Sequence, residues 1–291
     1  MKAGIAGVGV WARGVEGVAK FEQSQLNDFE SMCESSFVNP KPECVPPKER
    51  RRAGLMINLA VEVAHQACDD AAIDKTQIPS VFVSALGDTA ITDYMCRKLA
   101  QPEKLLSPTK FHNSVHNAPS GYWTISAENR APSSFVGGFR ESFGAGLLEA
   151  VSQAHAFATP VLLVAYDIAN SAPFEDIEPV SESVGIGLVV TNGESVGAHG
   201  PQTGAQGRQN TVLFDVDFEA QIENDGGREQ VISQPLSEPL RDFACANPVG
   251  AGFALLEQIT AKRSGADLEQ IPLLNELRLA AAPAAMLRIS F

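Results

Sequence analysis

The stretch PSSFVGGFRESFGAGLLEAVSQAHAFATPVLLVAYD, residues 132–167, predicts a strand, a tight turn, a helix and a second strand. Ser133 to Val136 is short, aromatic and β-branched, and Gly137-Gly138 breaks it. Pro160 to Tyr166 is a continuous apolar run, which is typical of a strand covered on both faces. Between these strands Ser142 is the predicted N-cap of a helix whose apolar positions recur at helical spacing: Phe143, Leu147, Ala150, Val151 and Ala154.

The turn before this helix is where chemistry would be expected. A helix N-terminus concentrates backbone N–H groups and positive potential, so it suits a nucleophile or an anion. The residues there are Phe139, Arg140 and Glu141, which include no cysteine, serine–histidine pair or phosphate-binding loop. Gly144 to Gly146 follow inside the helix, and their lack of bulk predicts that another element packs very close to its first turns.

Composition limits the class of protein. The chain has 291 residues, 44% hydrophobic and 20% charged, as in an ordinary soluble globular protein. Its net charge of −13 argues against a general nucleic-acid binder, and no apolar run is long enough for a membrane span. Five unclustered cysteines fit a reducing cytoplasm better than a disulfide framework, so we expect a cytoplasmic protein.

The remaining chain alternates predicted strands and helices. The further strands are Ala3–Val10, Val81–Leu86, Val184–Thr191, Val212–Phe218 and Ala285–Phe291. The first of them is expected to end in a glycine turn, Gly7-Val8-Gly9. The further helices are Pro47–Ala71, Thr89–Ala100, Ala118–Ala127, Phe253–Arg263 and Leu268–Leu279. This order predicts an α/β fold with a layered, mostly parallel sheet and helices on both faces. The glycine- and glutamine-rich residues 193–209 are the best candidate boundary, and the alternating strand at 212–218 is expected near a sheet edge.

One dense basic run, KERRR at Lys48 to Arg52, stands out in this acidic chain. The simpler interpretation is a solvated helix face. The functional interpretation is a local landing patch for an acidic carrier or partner.

The order of these pieces resembles the N-terminal half of a β-ketoacyl synthase of thiolase fold. IAGVGVWARG resembles that family's opening strand, PPKERRRAGLMINLAVEVAHQACDDAAI its first long helix, and APSSFVGGFRESFGAGLLEA its strand, nucleophile turn and buried helix. More specifically, LLSPTKFHNSVHNAPSGYWTIS and SFGAGLLEA resemble the β-ketoacyl synthase N-terminal-like family, which includes chain-length-factor-like subunits of aryl polyene and xanthomonadin-type pigment pathways. The resemblance implies a thiolase-like half-fold with a ketosynthase N-terminal-like domain at 1–192 and a C-terminal extension at 210–291 that completes or flanks the same sheet.

The resemblance also places the nucleophile of an active ketosynthase at Arg140, or at Glu141 with a one-residue error. Neither residue can form an acyl thioester. The family further needs two histidines from its second half, and this chain has no histidine after His199. The resemblance therefore implies a non-catalytic chain length factor that pairs with a full-length β-ketoacyl synthase, contacts acyl carrier protein indirectly and needs no cofactor or metal; a homodimer is the alternative when the chain is alone.

In thiolase folds the nucleophile strand lies near the dimer interface, which gives the expected interface and acyl-pocket residues. They are Ser133, Ser134, Phe135, Val136, Gly138, Phe139, Arg140, Phe143, Gly144, His112, His116 and Trp123. Gly144 to Gly146 would allow the partner to approach closely. Arg140 would line or block a partner's acyl tunnel, or pair with Glu141 or with a carboxylate across the interface.

Two other functions are compatible with shorter motifs. His112 and His116, spaced i and i+4, would serve a stand-alone thiolase-fold acyltransferase or hydrolase, or two ligands of a zinc site for which no third ligand is evident. Hydrogen bonding that orders their loop is the simpler interpretation of the pair. G-V-G-V-W-A formally fits a dinucleotide-binding pattern and would use Gly7, Gly9 and Ala12.

Overall fold

The computed structural model describes residues 1–27, 35–170, 172–193, 211–220, 238–264, 276–282 and 285–291. Nine strands are described: β1 (Lys2–Ala12), β2 (Val15–Glu16), β3 (Ser80–Val83), β4 (Ser133–Val136), β5 (Val161–Asp167), β6 (Val184–Thr191), β7 (Val212–Ala220), β8 (Glu276–Ala282) and β9 (Ala285–Ser290). The described α-helices are α1 (Val18–Asn27), α2 (Pro47–Arg50), α3 (Leu55–Asp70), α4 (Thr89–Leu99), α5 (Pro108–Asn113), α6 (Ala118–Ala127), α7 (Ser142–Phe157), α8 (Glu238–Cys245) and α9 (Gly252–Ser264). Three 3-10 turns span Phe139–Glu141, Phe174–Asp176 and Pro248–Ala251.

All nine strands form one sheet in the order β4-β3-β5-β6-β1-β7-β9-β8, with β2 paired to β1. β3 pairs in parallel with β4 and with β5, and the other described pairs are antiparallel. The expectation of a mostly parallel sheet therefore holds only at the β4-β3-β5 end. β5 and β6 are joined without a crossover helix, so the chain returns antiparallel to itself.

Helices cover both faces of the sheet, as expected. α3 packs across β1, β5 and β6 on one face together with α6. α7 and α9 enclose a second apolar layer on the other face. The predicted apolar positions of α7 are all fully buried. On α3, Leu59, Val63 and Ala67 recur at helical spacing and are fully buried as well.

The glycines of β1 explain how close α3 comes to the sheet. Gly7 and Gly9 lie inside the strand. A Cβ on Gly7 would stand 2.1 Å from the Ala67 carbonyl oxygen, and a Cβ on Gly9 would stand 2.3 Å from the Val63 carbonyl oxygen. The expectation of a glycine turn at these positions is wrong, because the missing side chains make room for the backbone of α3. No loop remains there to hold a dinucleotide, so the nucleotide-binding alternative loses its basis.

Four other expectations need correction. The predicted helix Pro47–Ala71 is interrupted before Gly54, which leaves the basic run on α2 and the turn that follows it. β7 lies between β1 and β9 rather than near an edge, although Asp215 on it is exposed as predicted. Leu277 and Leu279 belong to strand β8, not to a helix, because they pair with β9. Ser142 is the first residue of α7 rather than its N-cap.

The boundary predicted at 193–209 falls almost entirely outside the described residues, so the division at that point stays a prediction. β7, β8 and β9 extend the sheet that β1 begins. None of the described helices is long and apolar enough to cross a membrane.

Candidate functional site

The site is built at the end of β4, which closes one side of the sheet. Among the described strands β4 pairs only with β3, in the register Ser80↔Ser133 to Val83↔Val136. Ser133 is exposed and the other three β4 residues are half-buried. The Ser80 and Ser133 hydroxyls lie 3.0 Å apart, and the Gln153 amide of α7 donates to the Ser134 hydroxyl at 2.9 Å. No described strand covers the outer edge of β4, so this edge can take another strand.

Ser142 fixes the turn between β4 and α7. Its hydroxyl accepts from the Gly138 N–H at 2.9 Å and donates to the Phe139 carbonyl oxygen at 2.6 Å. These bonds close a turn in which Phe139 has φ = +55°, a left-handed conformation that is strained for an aromatic residue. The Phe139 side chain nevertheless remains 41% exposed.

Arg140, one of the two residues at which the resemblance places the nucleophile, forms an ion pair within this chain. Its Nε and one terminal nitrogen each lie 3.0 Å from an oxygen of Glu178. The Arg140 side chain is 52% exposed, whereas that of Glu178 is 8% exposed. The expected pairing with Glu141 is not what the structure shows. No feature of the sequence pointed to Glu178, because the contact spans 38 residues.

α7 carries its small residues on the face that meets the sheet. A Cβ on Gly146 would stand 2.3 Å from a Val83 methyl group and 3.2 Å from one of Leu163. The predicted close approach is confirmed, but the neighbour is the chain's own sheet. Phe143 and Gly144, expected at an interface or acyl pocket, are buried inside the molecule, where Phe143 packs against the start of α9.

The carboxyl ends of the three parallel strands converge beside this turn, and a buried carboxylate joins two of them. Asp167, at the end of β5, accepts from the Ser84 hydroxyl at 2.6 Å and from the Ala85 N–H at 3.0 Å. Burial raises the pKa of Asp167 to about 6, although these hydrogen bonds oppose the shift. Sequence reasoning missed this residue, whose one local signal is an acid directly after a continuous apolar strand.

His112 and His116 are separated by the end of α5. The His112 ring lies against Tyr122, with ring centres 6.3 Å apart, and the His116 ring lies against Phe135 of β4 at 5.7 Å. Both histidines are exposed and do not share one helix. Among the described residues no group of three or more metal-binding side chains occurs.

Trp123, also expected at the interface or pocket, is fully buried on α6. Its ring meets that of His65 edge-on at 4.9 Å, and His65 Nε2 lies 3.0 Å from the Ser126 hydroxyl. Burial lowers the pKa of His65 to about 4, so this imidazole is neutral at pH 7. Two open cavities of about 520 and 510 Å³ share the lining residues His65, Cys44 and Lys75 on the outer side of α3. No pattern in the sequence indicates these two cavities.

The described histidines and cysteines do not assemble a nucleophile with its base. Cys68 is buried on α3, where burial raises the pKa of its thiol to about 12. Cys44, Cys96 and Cys245 are exposed free thiols on other elements. Cys245 ends α8, three residues before the Pro248–Ala251 turn that packs against the Phe139–Glu141 turn. His199 lies outside the described residues.

Comparison with solved structures shows a ketosynthase fold. One chain of a ketosynthase in complex with its chain length factor from Xenorhabdus doucetiae matches at 18% identity and a TM-score of 0.61. The match covers 100% of the present chain and 100% of that chain. The ishigamide ketosynthase/chain length factor matches at 15% identity and a TM-score of 0.54, over 77% of this chain and 69% of that one. The type II polyketide complex AntDE:AntF, an acyl-carrier protein with its ketosynthase, matches at 10% identity and a TM-score of 0.61, over 99% of each chain. These likenesses confirm the thiolase-like fold class.

No curated protein sequence matches the chain. A family model described as "Beta-ketoacyl synthase, N-terminal domain" matches residues 24–221, which is more than half of the chain. The matched part includes β4, the Arg140 turn and α7, so it contains the whole strand–turn–helix unit. The chain belongs to the β-ketoacyl synthase N-terminal domain family.

Proposed function

We propose that this chain is a non-catalytic ketosynthase subunit of the chain-length-factor type. In this role it pairs with a full-length β-ketoacyl synthase and shapes the pocket for an acyl chain carried by acyl carrier protein. The observation that carries the proposal is the ion pair of Arg140 with Glu178 in the turn before α7, where the resemblance places the nucleophile at Arg140 or Glu141. A ketosynthase needs a cysteine thiolate there, and a guanidinium can neither attack a thioester nor carry an acyl group.

The free edge of β4 supports pairing with a second subunit. It presents Ser133 to Val136 without a second strand among the described residues. The three similar structures named above are, by their titles, complexes that contain a ketosynthase. A ketosynthase partner with a neutral or basic matching face would suit a chain of net charge −13.

The basic residues of α2 and the following turn support a role for acyl carrier protein. Lys48, Arg50, Arg51 and Arg52 belong to none of the ion pairs found in the described part of the chain. Lys48, Arg51 and Arg52 are exposed. An acidic carrier docking at the paired subunits would find there four basic side chains and one acidic one, Glu49, which form a net positive patch on an otherwise acidic protein.

Within this proposal the pathway is one that makes aryl polyene or related pigments, in the cytoplasm. The acyl-pocket role rests on the residues at the carboxyl end of β4 that remain accessible: Phe135, Val136, Gly138, Phe139, Arg140 and His116. The other three expected residues, Phe143, Gly144 and Trp123, are buried. In this proposal they support the pocket by packing in the core and do not line it.

Co-expression with a full-length β-ketoacyl synthase from the same organism tests the proposal. We expect the two proteins to co-purify through a tag on either one and to elute as one complex in gel filtration. Absence of association under several salt and temperature conditions would remove the hypothesis. If the complex forms, replacing Arg140 by Ala should change product length; unchanged products would show that Arg140 does not line the acyl tunnel.

The alternative function is a stand-alone acyltransferase or hydrolase that uses His112 or His116. His116 is exposed to solvent beside Phe135, where a substrate can reach its ring. A covalent acyl adduct on this chain, formed without a partner, would favour that alternative.

A further inference from the structure

Phe139 combines two properties that the fold itself does not require. Its backbone has φ = +55°, and its ring is 41% exposed. A left-handed conformation is unfavourable for an aromatic residue, and glycine would avoid the cost. Gly138 stands directly before it, so the turn already contains a glycine at the neighbouring position. Strained residues that display a large apolar side chain are typical of functional surfaces.

The ion pair between Arg140 and Glu178 joins the turn to a second segment that carries an exposed apolar residue. Ile177, which precedes Glu178, is 66% exposed. Its segment is held in place because the Asn170 amide donates to the Glu178 carbonyl oxygen at 2.7 Å. Phe139, Arg140, Ile177 and Glu178 are called here the turn patch, in which each residue of the ion pair has an exposed apolar residue directly before it in sequence.

We propose that the turn patch is the anchor by which this chain grips its ketosynthase partner, with Phe139 as the central contact. An exposed aromatic ring beside an arginine is the composition of energetic centres in protein interfaces. The partner surface that fits has an apolar pocket for Phe139 and Ile177, and a carboxylate or carbonyl oxygen that accepts from the outer side of Arg140.

This inference rests on the proposed function, and it adds where the binding energy is concentrated. The turn patch begins three residues after β4 ends, so it is continuous with the free strand edge that the partner is proposed to cover. Ser142 holds Phe139 in its displayed conformation before any partner binds. A preorganised aromatic residue loses little conformational entropy on association, which favours tight binding.

The test measures the affinity of the purified full-length ketosynthase for variants of this chain. Phe139→Asn removes the ring but tolerates the left-handed backbone, and we expect binding to weaken about tenfold or more. Ile177→Ser removes the second apolar side chain without touching the strained turn, and a smaller loss of binding is expected. Phe139→Tyr keeps the ring and should bind like the wild type.

Phe157→Ser is the matched control, because Phe157 is an aromatic residue 49% exposed at the opposite end of α7. Its affinity should equal that of the wild type. Wild-type affinity for Phe139→Asn would overturn the turn-patch inference and leave the proposed function standing. If that variant does not fold, as judged by thermal unfolding, unchanged binding of Ile177→Ser decides against the inference. Absence of binding by the wild type would overturn both.

Discussion

Asp167 is expected to make the stability of this protein depend on pH in an unusual direction. The pKa of its carboxyl group is raised from 3.8 to about 6 by burial at the end of β5. The folded state therefore binds the proton more tightly than the unfolded state, and ionisation of Asp167 opposes folding. The penalty is complete above pH 6, shrinks as the pH falls through 6, and disappears below 3.8.

The size of the effect follows from the shift. One pKa unit corresponds to about 1.4 kcal/mol, so ionised Asp167 costs about 3 kcal/mol at pH 7 and roughly half of that at pH 5. Asp167→Asn is neutral at every pH and keeps an oxygen that accepts from Ser84 or Ala85. The free energy of unfolding of the wild type, minus that of the variant, should thus rise by about 1–2 kcal/mol from pH 7 to pH 5.

Urea unfolding at pH 5, 6 and 7 measures this difference, and Asp217→Asn is the control. Asp217 is an exposed carboxylate whose pKa is lowered by its hydrogen bond with Arg288. The free energy of unfolding of the wild type minus that of Asp217→Asn should therefore stay constant between pH 5 and pH 7. A flat or falling difference for Asp167→Asn would refute the reasoning, because it would mean that the hydrogen bonds from β3 outweigh the cost of burial.

Three further predictions follow from particular contacts. Gly7→Ala should destabilise the fold by about 1–3 kcal/mol or more, because the added Cβ would meet α3. Gly121→Ala should stabilise the fold by up to about 1 kcal/mol, because no atom lies within 4 Å of the added Cβ and alanine is the better helix former. Thermal unfolding of the two variants distinguishes these outcomes. Arg140→Ala should lower the free energy of unfolding by about 1–2 kcal/mol, and Glu178→Gln should lower it by less, since only Arg140→Ala leaves a buried carboxylate unpaired. Equal losses for the two variants would contradict this interpretation of the ion pair. Reversing charges within residues 48–52 should weaken binding of acyl carrier protein several-fold at low salt and much less at high salt, and a salt-independent effect would argue against an electrostatic patch.

The elements that could be predicted from the sequence are those whose signals are local. The continuous apolar runs of β5 and β6 and the helical spacing of α7 gave the right elements. The directions of the strands could not be predicted, because a strand's sequence does not indicate which neighbour it will pair with.

Other features depend on contacts between distant segments. The same glycines that pack β1 against α3 are typical of a turn when only neighbours in sequence are considered. Residues 276–279 favour a helix locally but pair with β9, because tertiary pairing outweighs propensity. Glu178 and Asp167 have roles only through partners 38 and 83 residues away, so no local pattern could assign them.

The most direct test of the central claim is to locate the acyl group in the reconstituted complex. The purified complex is incubated with acyl- and malonyl-loaded carrier protein, and the intact mass of each subunit is then measured, with Cys245→Ser as a control for the exposed thiol that precedes the turn packed against Arg140. The account predicts a covalent acyl adduct on the full-length ketosynthase and an unchanged mass for this chain. An acyl adduct on this chain would contradict a non-catalytic role. If the adduct is absent from the Cys245→Ser variant, the acyl group is carried by Cys245; if the adduct persists in that variant, another residue carries it.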